Sequence, residues 1–187
     1  ALIAAIALPT LVIVLINVMN TTVRGKKDLE TLDAPIAGEI PAYGKKRHGL
    51  FKQKQTQPNH FIKKKTSRDI INEAFRIVRT NLEFMTGSSD KGTVIMTTSF
   101  NPGSGKTFIS INLAASLAIK GKKVLAIDLD LRRASLSQYV PHTQTGISNY
   151  LAGQENDLSA IITHIGQEKQ TFDLIPVGVF PPNPTEL

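Results

Sequence analysis

Apolar and polar positions divide the chain into three segments. Residues 1–23 carry no charge and are almost continuously apolar, residues 24–65 mix proline, glycine and basic runs without a lasting period, and residues 66–187 contain amphipathic stretches and short apolar runs. Because about 20 apolar residues cross a bilayer, the first segment predicts a transmembrane helix, complete or truncated. A buried core helix and a cleaved signal peptide are the alternatives, and the signal peptide would need a basic start and a small-residue cleavage site.

The third segment predicts alternating helices and strands. A hydroxyl and carboxylate cap at 66–69 starts an amphipathic helix that ends at Gly87. The further predicted elements are a strand at 93–98, a helix at 105–120, a strand at 124–127, helices at 146–151 and 158–165, and a strand at 172–177. Two apolar strands around a helix are typical of a βαβ unit, so the fold class expected here is α/β, with a parallel sheet flanked by helices.

The charge distribution changes the meaning of the net charge of +7, which by itself suggests nucleic acid or an anionic membrane as partner. Residues 24–68 hold 12 Lys and Arg against 4 Asp and Glu, whereas residues 69–187 are almost neutral. The clusters at 45–48 and 63–65 lack interleaved aromatic residues, so anionic lipid or plain solvation is favoured over nucleic acid. Basic residues directly after the apolar segment place the rest of the chain in the cytoplasm.

The sharpest motif lies between the predicted strand at 93–98 and the following helix, and consists of Pro102, Gly103, Ser104, Gly105, Lys106 and Thr107. In such a loop, backbone N–H groups cradle phosphates, a lysine reaches the β and γ phosphates, and the adjacent hydroxyl ligates Mg²⁺. The strict pattern asks for glycine where Phe100 stands. A plain turn between strand and helix is the alternative, but the context favours a nucleotide-binding loop.

A second group of polar residues follows the predicted strand at 124–127. Asp128 and Asp130 stand one residue apart at its end, where ligands bind in open parallel sheets. Such carboxylates can hold Mg²⁺ and accept a proton from an attacking hydroxyl, although acidic residues also commonly start loops. Arg132 and Arg133 suit phosphate or partner contacts, and a solvated turn explains either residue at least as well. The absence of Cys excludes disulfides, Cys-ligated zinc and a cysteine nucleophile within these residues.

Four stretches together resemble the bacterial tyrosine kinases, which are cytoplasmic domains of polysaccharide co-polymerases. Residues 98–107 and 124–133 resemble the Walker A and Walker A′ motifs of that family, residues 73–79 its E-x-x-R-x-x-R helix, and residues 181–187 its PPNPxEL segment. The partition ATPases of related fold carry a signature lysine where this chain has Asn101, and that difference disfavours a DNA-partition function.

The resemblance implies a tyrosine autokinase that uses ATP and Mg²⁺. Lys106 and the loop would hold the phosphates, and Thr107 would coordinate Mg²⁺. Asp128 would be the base toward the tyrosine hydroxyl, also near the metal, and Asp130 would help to orient Mg²⁺. The rival hypothesis is a membrane scaffold or chain-length regulator that binds nucleotide without phosphorylating protein.

The resemblance also implies assembly and location. Glu73, Arg76 and Arg79 would dock onto the next subunit of a ring-like homo-oligomer, although their spacing is equally compatible with pairing along one helix. The family reading places the kinase domain in the cytoplasm, anchored to the bacterial inner membrane through residues 1–23 and associated with polysaccharide export machinery. No nucleic acid partner is expected. Because the chain opens on Ala1 inside an apolar run, we expect a fragment. The resemblance implies that its Walker B aspartate and tyrosine cluster lie beyond Leu187.

Overall fold

The structure, a computed structural model, describes residues 2–19, 29, 32–41, 70–87, 92–166, 171–184 and 186. The chain divides into two compact units, Ala1–Ile36 and Ala37–Leu187. The first contains α1, Leu2–Met19, whose side chains from residue 7 onward are exposed. Within the described ranges, no helix meets the combination of length and hydropathy needed to cross a membrane, so the transmembrane prediction for residues 1–23 is not confirmed. Residues 20–23 lie outside the described ranges.

The second unit holds the remaining elements, and the α/β fold class is confirmed. Its helices are α2 (Ile70–Thr86), α3 (Lys106–Ile119) and α4 (Ile147–Leu151), with 3₁₀ turns at Ser137–Tyr139 and Leu158–Ile161. Its strands are β1 (Leu125–Ile127), β2 (Thr163–Ile165) and β3 (Phe172–Ile175). They form one sheet in the order β1-β3-β2. Because β1 pairs parallel and β2 antiparallel with β3, the sheet is mixed rather than wholly parallel.

The central strand β3 is covered on both faces. Leu174, fully buried, packs with Ile111 of α3, whereas the next residue, Ile175, packs with Ile147 of α4 and with Ile161. Successive side chains of a strand point to opposite faces, so this short strand supplies both layers of the core at once. The strand predicted at 172–177 is confirmed over Phe172–Ile175, with the half-buried Asp173 as its one polar residue.

Helix α3 lies between the sheet and α2. Small residues of α3, Ala114, Ala115 and Ala118, face the sheet cluster, while Leu113 packs against Phe75 and Val78 of α2. Burying each large apolar side chain contributes about 1.5–3 kcal/mol relative to exposing it. The amphipathic stripe predicted for α2 is confirmed at its centre, and α2 ends before Gly87 as expected. The predicted cap at 66–69 lies outside the described residues.

The described part of the predicted linker includes residues that pack on α2. Ala37 and Ile40 join the cluster around Phe75, and the Asn81 side-chain amide donates to the Ala37 carbonyl at 2.8 Å. The compact unit thus begins well before residue 66. Sequence periodicity missed these contacts because two apolar residues in an irregular segment carry no repeating pattern.

Two predicted elements are wrong. Residues 93–98 form no strand in the structure: Val94 and Met96 are 95% and 83% exposed, and the segment pairs with no strand among the described residues. The first strand of the predicted βαβ unit is therefore missing, and β1 pairs with β3 instead. Residues 158–165, predicted as a helix, form a 3₁₀ turn followed by β2, because pairing with β3 outweighs their weak helical period.

Candidate nucleotide-binding site

Residues 102–107, which we call the phosphate loop, form a turn that leads directly into α3, with residues 102–104 exposed and the rest half-buried. Gly103 and Gly105 have φ angles of 78° and 95°, in the left-handed region that favours glycine. A Cβ at either position would meet no atom within 4 Å, so conformation and not crowding selects glycine here. Gly105 is the N-cap of α3, and the loop therefore ends at the positive end of a 14-residue helix dipole. These features suit a phosphate group.

Lys106 is held at the loop by a hydroxyl. Its Nζ donates to Ser99 Oγ at 2.9 Å, and Ser99 Oγ in turn donates to the Asn101 carbonyl at 3.0 Å. Ser104 Oγ also donates to the Asn101 carbonyl. Thr107, half-buried, occupies the first turn of α3 beside the lysine. A neutral hydroxyl is a weak partner for an ammonium group, so a phosphate can replace Ser99 without an ion pair being broken.

Asp128 continues β1 beyond its last residue and is buried, with 4% of its surface exposed. Its N–H donates to the Ile175 carbonyl at 3.0 Å, which fixes the backbone to β3. Carboxylate oxygen Oδ2 accepts from both the N–H and the hydroxyl of Ser137, each at 2.7 Å, and Oδ1 accepts from the Asp130 N–H at 3.1 Å. A buried carboxylate with three donors is a fully supported polar group, unlike an ordinary loop-starting aspartate.

Asp130 lies in the turn that follows, and its carboxylate accepts fewer hydrogen bonds than that of Asp128. One oxygen, Oδ1, accepts from the Arg133 N–H at 3.1 Å, and the Asp130 carbonyl accepts from the Ala134 N–H at 2.8 Å. Ala134 is buried and has a φ of 46°, an uncommon left-handed conformation for a residue with a Cβ. Arg132 and Arg133 are exposed. Backbone groups of the turn therefore orient Asp130, and its other carboxylate oxygen, Oδ2, accepts no hydrogen bond from the described residues.

Topology brings the phosphate loop and the aspartates to one edge. Helix α3 runs away from the loop, and β1 returns alongside it, with Ala126 packed against the α3 cluster. The start of α3 and the end of β1 consequently lie at the same edge of the sheet, where open α/β folds bind their ligands. The sequence predicted Lys106, Thr107, Asp128 and Asp130. Chain direction assigns the first two and the last two to the same edge, and their joint action on a ligand stays a prediction.

Ser137 belongs to this site although the sequence patterns did not indicate it. It lies nine residues after Asp128, and its Oγ also accepts from the Val177 N–H at 2.9 Å. The segment 176–179, which continues β3, is itself fixed to α4: the N–H of Ile147 donates to the Pro176 carbonyl at 2.8 Å, and the Ser148 hydroxyl donates to the Val177 carbonyl at 2.8 Å. A serine in a polar turn gives no sequence signal for contacts this far apart.

The oxygen atoms at this edge suit an Mg²⁺ ion that arrives with the nucleotide better than a metal ion that the protein alone would hold. Among the described residues, no group of three or more His, Cys, Asp or Glu side chains is placed to hold a metal. Oxygen donors are nevertheless available from the Thr107 hydroxyl and the Asp130 carboxylate. Mg²⁺ is usually held by one or two carboxylates together with substrate phosphates, which is the chemistry that this edge offers.

The three charged residues of α2 do not share one environment. Glu73 and Arg76 are exposed and form a bidentate pair, with Nε–Oε2 and Nη2–Oε1 distances of 2.9 and 2.5 Å. This hydrogen bond lowers the pKa of Glu73 below its ordinary value. Arg79 instead donates from Nη1 to the Ser116 carbonyl and hydroxyl of α3, at 2.7 and 3.3 Å. An interface role for the three residues stays a prediction, and Arg79 has an additional contact within the chain.

Known proteins match both the motifs and the fold. The family model for the CobQ/CobB/MinD/ParA nucleotide binding domain matches residues 95–181. The tyrosine-protein kinase etk of Escherichia coli K12 is 39% identical over 146 residues, which are 76% of this chain and 20% of the kinase. The tyrosine-protein kinase ptk of Acinetobacter johnsonii is 36% identical over 184 residues, 96% of this chain and 24% of its own length. The chain thus spans about a fifth to a quarter of these relatives.

Solved structures agree. The kinase domain of the Escherichia coli tyrosine kinase ETK superimposes with a TM-score of 0.70 at 36% identity, covering 88% of this chain and 64% of that domain. The chimerical protein CapA2B2 gives a TM-score of 0.64 at 30% identity, covering 87% of this chain and 64% of that one. Because it is 36–39% identical to tyrosine-protein kinases over 76–96% of its own length, the chain belongs to the bacterial tyrosine kinase family.

Proposed function

We propose that this chain is the nucleotide-binding part of a tyrosine autokinase that controls the synthesis and export of capsular polysaccharide or exopolysaccharide. The observation that supports the proposal most is the buried carboxylate of Asp128 directly after β1, in a chain that is 39% identical over 146 residues to a tyrosine-protein kinase and has Lys106 at the start of α3. The exopolysaccharide context rests on the resemblance and on a relative named as a putative tyrosine-protein kinase in the cps region of Klebsiella pneumoniae.

The loop and the start of α3 would position the nucleotide. ATP supplies the γ-phosphoryl group when it is bound. Lys106 exchanges Ser99 for phosphate oxygens, while N–H groups of the Gly103–Gly105 turn and the α3 dipole stabilise negative charge. Phosphoryl transfer depends mainly on positioning and charge neutralisation, so a loop that is already shaped by its glycines suits the chemistry.

The aspartates would act on the other side of the reaction. Asp128 orients the attacking tyrosine hydroxyl and takes its proton, using the carboxylate that Ser137 and the Asp130 N–H hold in place. Thr107 and Asp130, with Asp128 nearby, supply the oxygens for Mg²⁺. The metal would neutralise phosphate charge when bound.

Assembly and location belong to the same proposal. The exposed Glu73–Arg76 pair leaves a charged surface on α2 that a second copy can contact in a ring-like oligomer. Residues 1–23 would anchor the protein to the inner membrane, with the basic stretch after them on the cytoplasmic side. Flotation of the full-length protein with liposomes, with and without residues 1–23, tests the anchor, and equal recovery of both forms would reject it.

Phosphotyrosine formation tests the proposed activity. The full-length protein, given ATP and Mg²⁺, is expected to become phosphorylated on tyrosine, and Lys106→Met is expected to lose the signal together with nucleotide binding. Lys123→Met, an exposed substitution in the connection between α3 and β1, is the matched control and should retain both. Nucleotide binding without phosphotyrosine in the wild type would favour the scaffold and chain-length regulator instead. A signal that survives in Lys106→Met would reject the assigned chemistry.

A further inference from the structure

We propose that Ser137 is a positioning residue for phosphoryl transfer, which locks Asp128 in its reactive orientation and ties it to the end of β3. The proposal rests on the proposed kinase function, since it concerns the orientation of the residue assigned as the base. It requires no ligand beyond those named above. Its evidence is a hydrogen-bond chain in which the Ser137 hydroxyl both accepts one bond and donates one.

The chain of hydrogen bonds has one direction. The Val177 N–H donates to Ser137 Oγ at 2.9 Å, and the Ser137 hydroxyl donates its single proton to Asp128 Oδ2 at 2.7 Å. An ionised carboxylate can only accept, so the single proton of the Ser137 hydroxyl is directed at Asp128, while a lone pair of the same oxygen accepts from the Val177 N–H. The hydroxyl cannot rotate away without leaving the fully buried Val177 N–H unpaired.

The backbone of Ser137 strengthens the same contact. Its N–H also donates to Asp128 Oδ2 at 2.7 Å, so one carboxylate oxygen receives two bonds from a single residue. The second oxygen, Oδ1, receives one bond, from the Asp130 N–H. This asymmetry fixes rotation of the carboxyl group and leaves Oδ1 as the oxygen with acceptor capacity for a substrate hydroxyl or a metal-bound water.

The far end of the chain is anchored in the core. The Val177 carbonyl accepts from the Ser148 N–H at 3.1 Å, and the Ser148 hydroxyl is within hydrogen-bond distance of the Val177 and Val179 carbonyls, at 2.8 and 2.6 Å. Ser137 therefore connects the carboxylate to β3 and α4, and not only to its own turn. A residue that acts through Asp128 in this way should affect the rate of the chemical step more than the affinity for nucleotide, which the phosphate loop determines.

A matched pair of variants isolates the hydroxyl. Ser137→Thr and Ser137→Val add the same bulk and branch at Cβ, and they differ only in a hydroxyl against a methyl group. In the full-length protein with ATP and Mg²⁺, we expect Ser137→Thr to keep kcat within about threefold and Ser137→Val to lower it about tenfold or more, with the KM for ATP changed less than about twofold in both. Equal kcat values in the two variants would overturn the proposal.

A double substitution separates this proposal from the proposed function. In an Asp128→Asn background, Ser137→Val is expected to change the residual rate less than about twofold, because the two residues act as one unit. A full, independent loss in that background would contradict the positioning role. If Asp128→Asn itself retains the wild-type rate, the assignment of the base fails, and the role of Ser137 fails with it. If the wild type forms no phosphotyrosine, the proposed function fails first.

Amide hydrogen exchange at Val177 gives a readout that needs no activity. We expect faster exchange in Ser137→Val than in Ser137→Thr, because only threonine retains the acceptor for that N–H. Should the added methyl group prevent folding of both variants, Ser137→Ala against the wild type answers the same question without crowding. Unchanged exchange and unchanged kcat in Ser137→Ala would overturn the proposal.

Discussion

The phosphate loop and the Asp128 region lie at the same edge of the sheet but are built in opposite ways. The loop is exposed, its glycines have open space around them, and its lysine rests on a neutral hydroxyl. Asp128 is buried and receives three hydrogen bonds, one of which continues to Val177. The contrast indicates that the loop is built to exchange partners, whereas the carboxylate is built to remain in one position while partners change.

Glycine substitutions should give the largest difference in stability between the open loop and the packed segment after β3. Gly103 and Gly178 have nearly identical φ angles of 78° and 79°, but a Cβ on Gly178 would lie 2.4 Å from the Gly146 nitrogen, whereas one on Gly103 meets nothing. We expect Gly178→Ala to lower the free energy of unfolding by about 3 kcal/mol or more, and Gly103→Ala by about 1 kcal/mol. Chemical denaturation of the full-length protein measures both, and equal losses would show that the segment after β3 is not tightly packed.

Removing one charge from each region should also lower the free energy of unfolding by unequal amounts. In Asp128→Asn, one carboxylate oxygen becomes an NH₂ group, so a donor must face a donor or a bond is lost, and we expect a loss of about 1–3 kcal/mol in the free energy of unfolding. Lys106→Met removes a single bond to an exposed loop and should cost less than about 1 kcal/mol. Denaturation midpoints check the order. A larger loss for Lys106→Met would contradict the interpretation of the loop as an open site.

The two arginines of α2 differ in their partners: Arg79 contacts the C-terminal part of α3, whereas Arg76 pairs with Glu73 of its own helix. Arg79 donates to the Ser116 carbonyl, which lies in the last turn of α3, where Lys120 N–H bonds to Leu117 instead. Such carbonyls lack partners within their helix, so Arg79→Met should lower the free energy of unfolding by about 1–2 kcal/mol. Arg76→Met is the control and should change stability little, since its ion pair is exposed. Equal effects of the two substitutions on thermal unfolding would argue against a stabilising contact between Arg79 and the Ser116 carbonyl.

The smallest expected effect concerns Glu83, which pairs with Lys120 at the same end of α3. The hydrogen bond from Lys120 lowers the pKa of Glu83 in the folded state. A lowered folded pKa contributes stability above the unfolded value of about 4.3, and the contribution is lost as pH falls through the folded pKa. Lys120→Met should therefore destabilise the protein slightly at pH 7 and progressively less below about pH 4. Lys123→Met should show no such pH dependence in denaturation experiments.

Local patterns predicted the elements whose residues act over short distances. The apolar stripe of α2, the helix that follows Lys106 and the mostly apolar residues of β3 need only neighbours three, four or two positions away to be recognised. The phosphate loop was predictable for the same reason, because glycines, lysine and hydroxyl lie within six consecutive residues. Errors occurred where pairing decides: residues 93–98 have strand composition without a strand partner, and residues 158–165 exchange a helical pattern for a pairing with β3.

Local sequence patterns were sufficient to identify a glycine-rich loop with its lysine, two aspartates that follow a short strand, and an alternation of helices and strands. The contacts that hold these residues arise only in the folded protein. Ser137 reaches Asp128 across nine positions and Val177 across forty, and Arg79 reaches α3 across thirty-seven. The reason is physical, because a hydrogen bond depends on distance and direction in space, and no local period along the chain encodes contacts between residues that folding alone brings together.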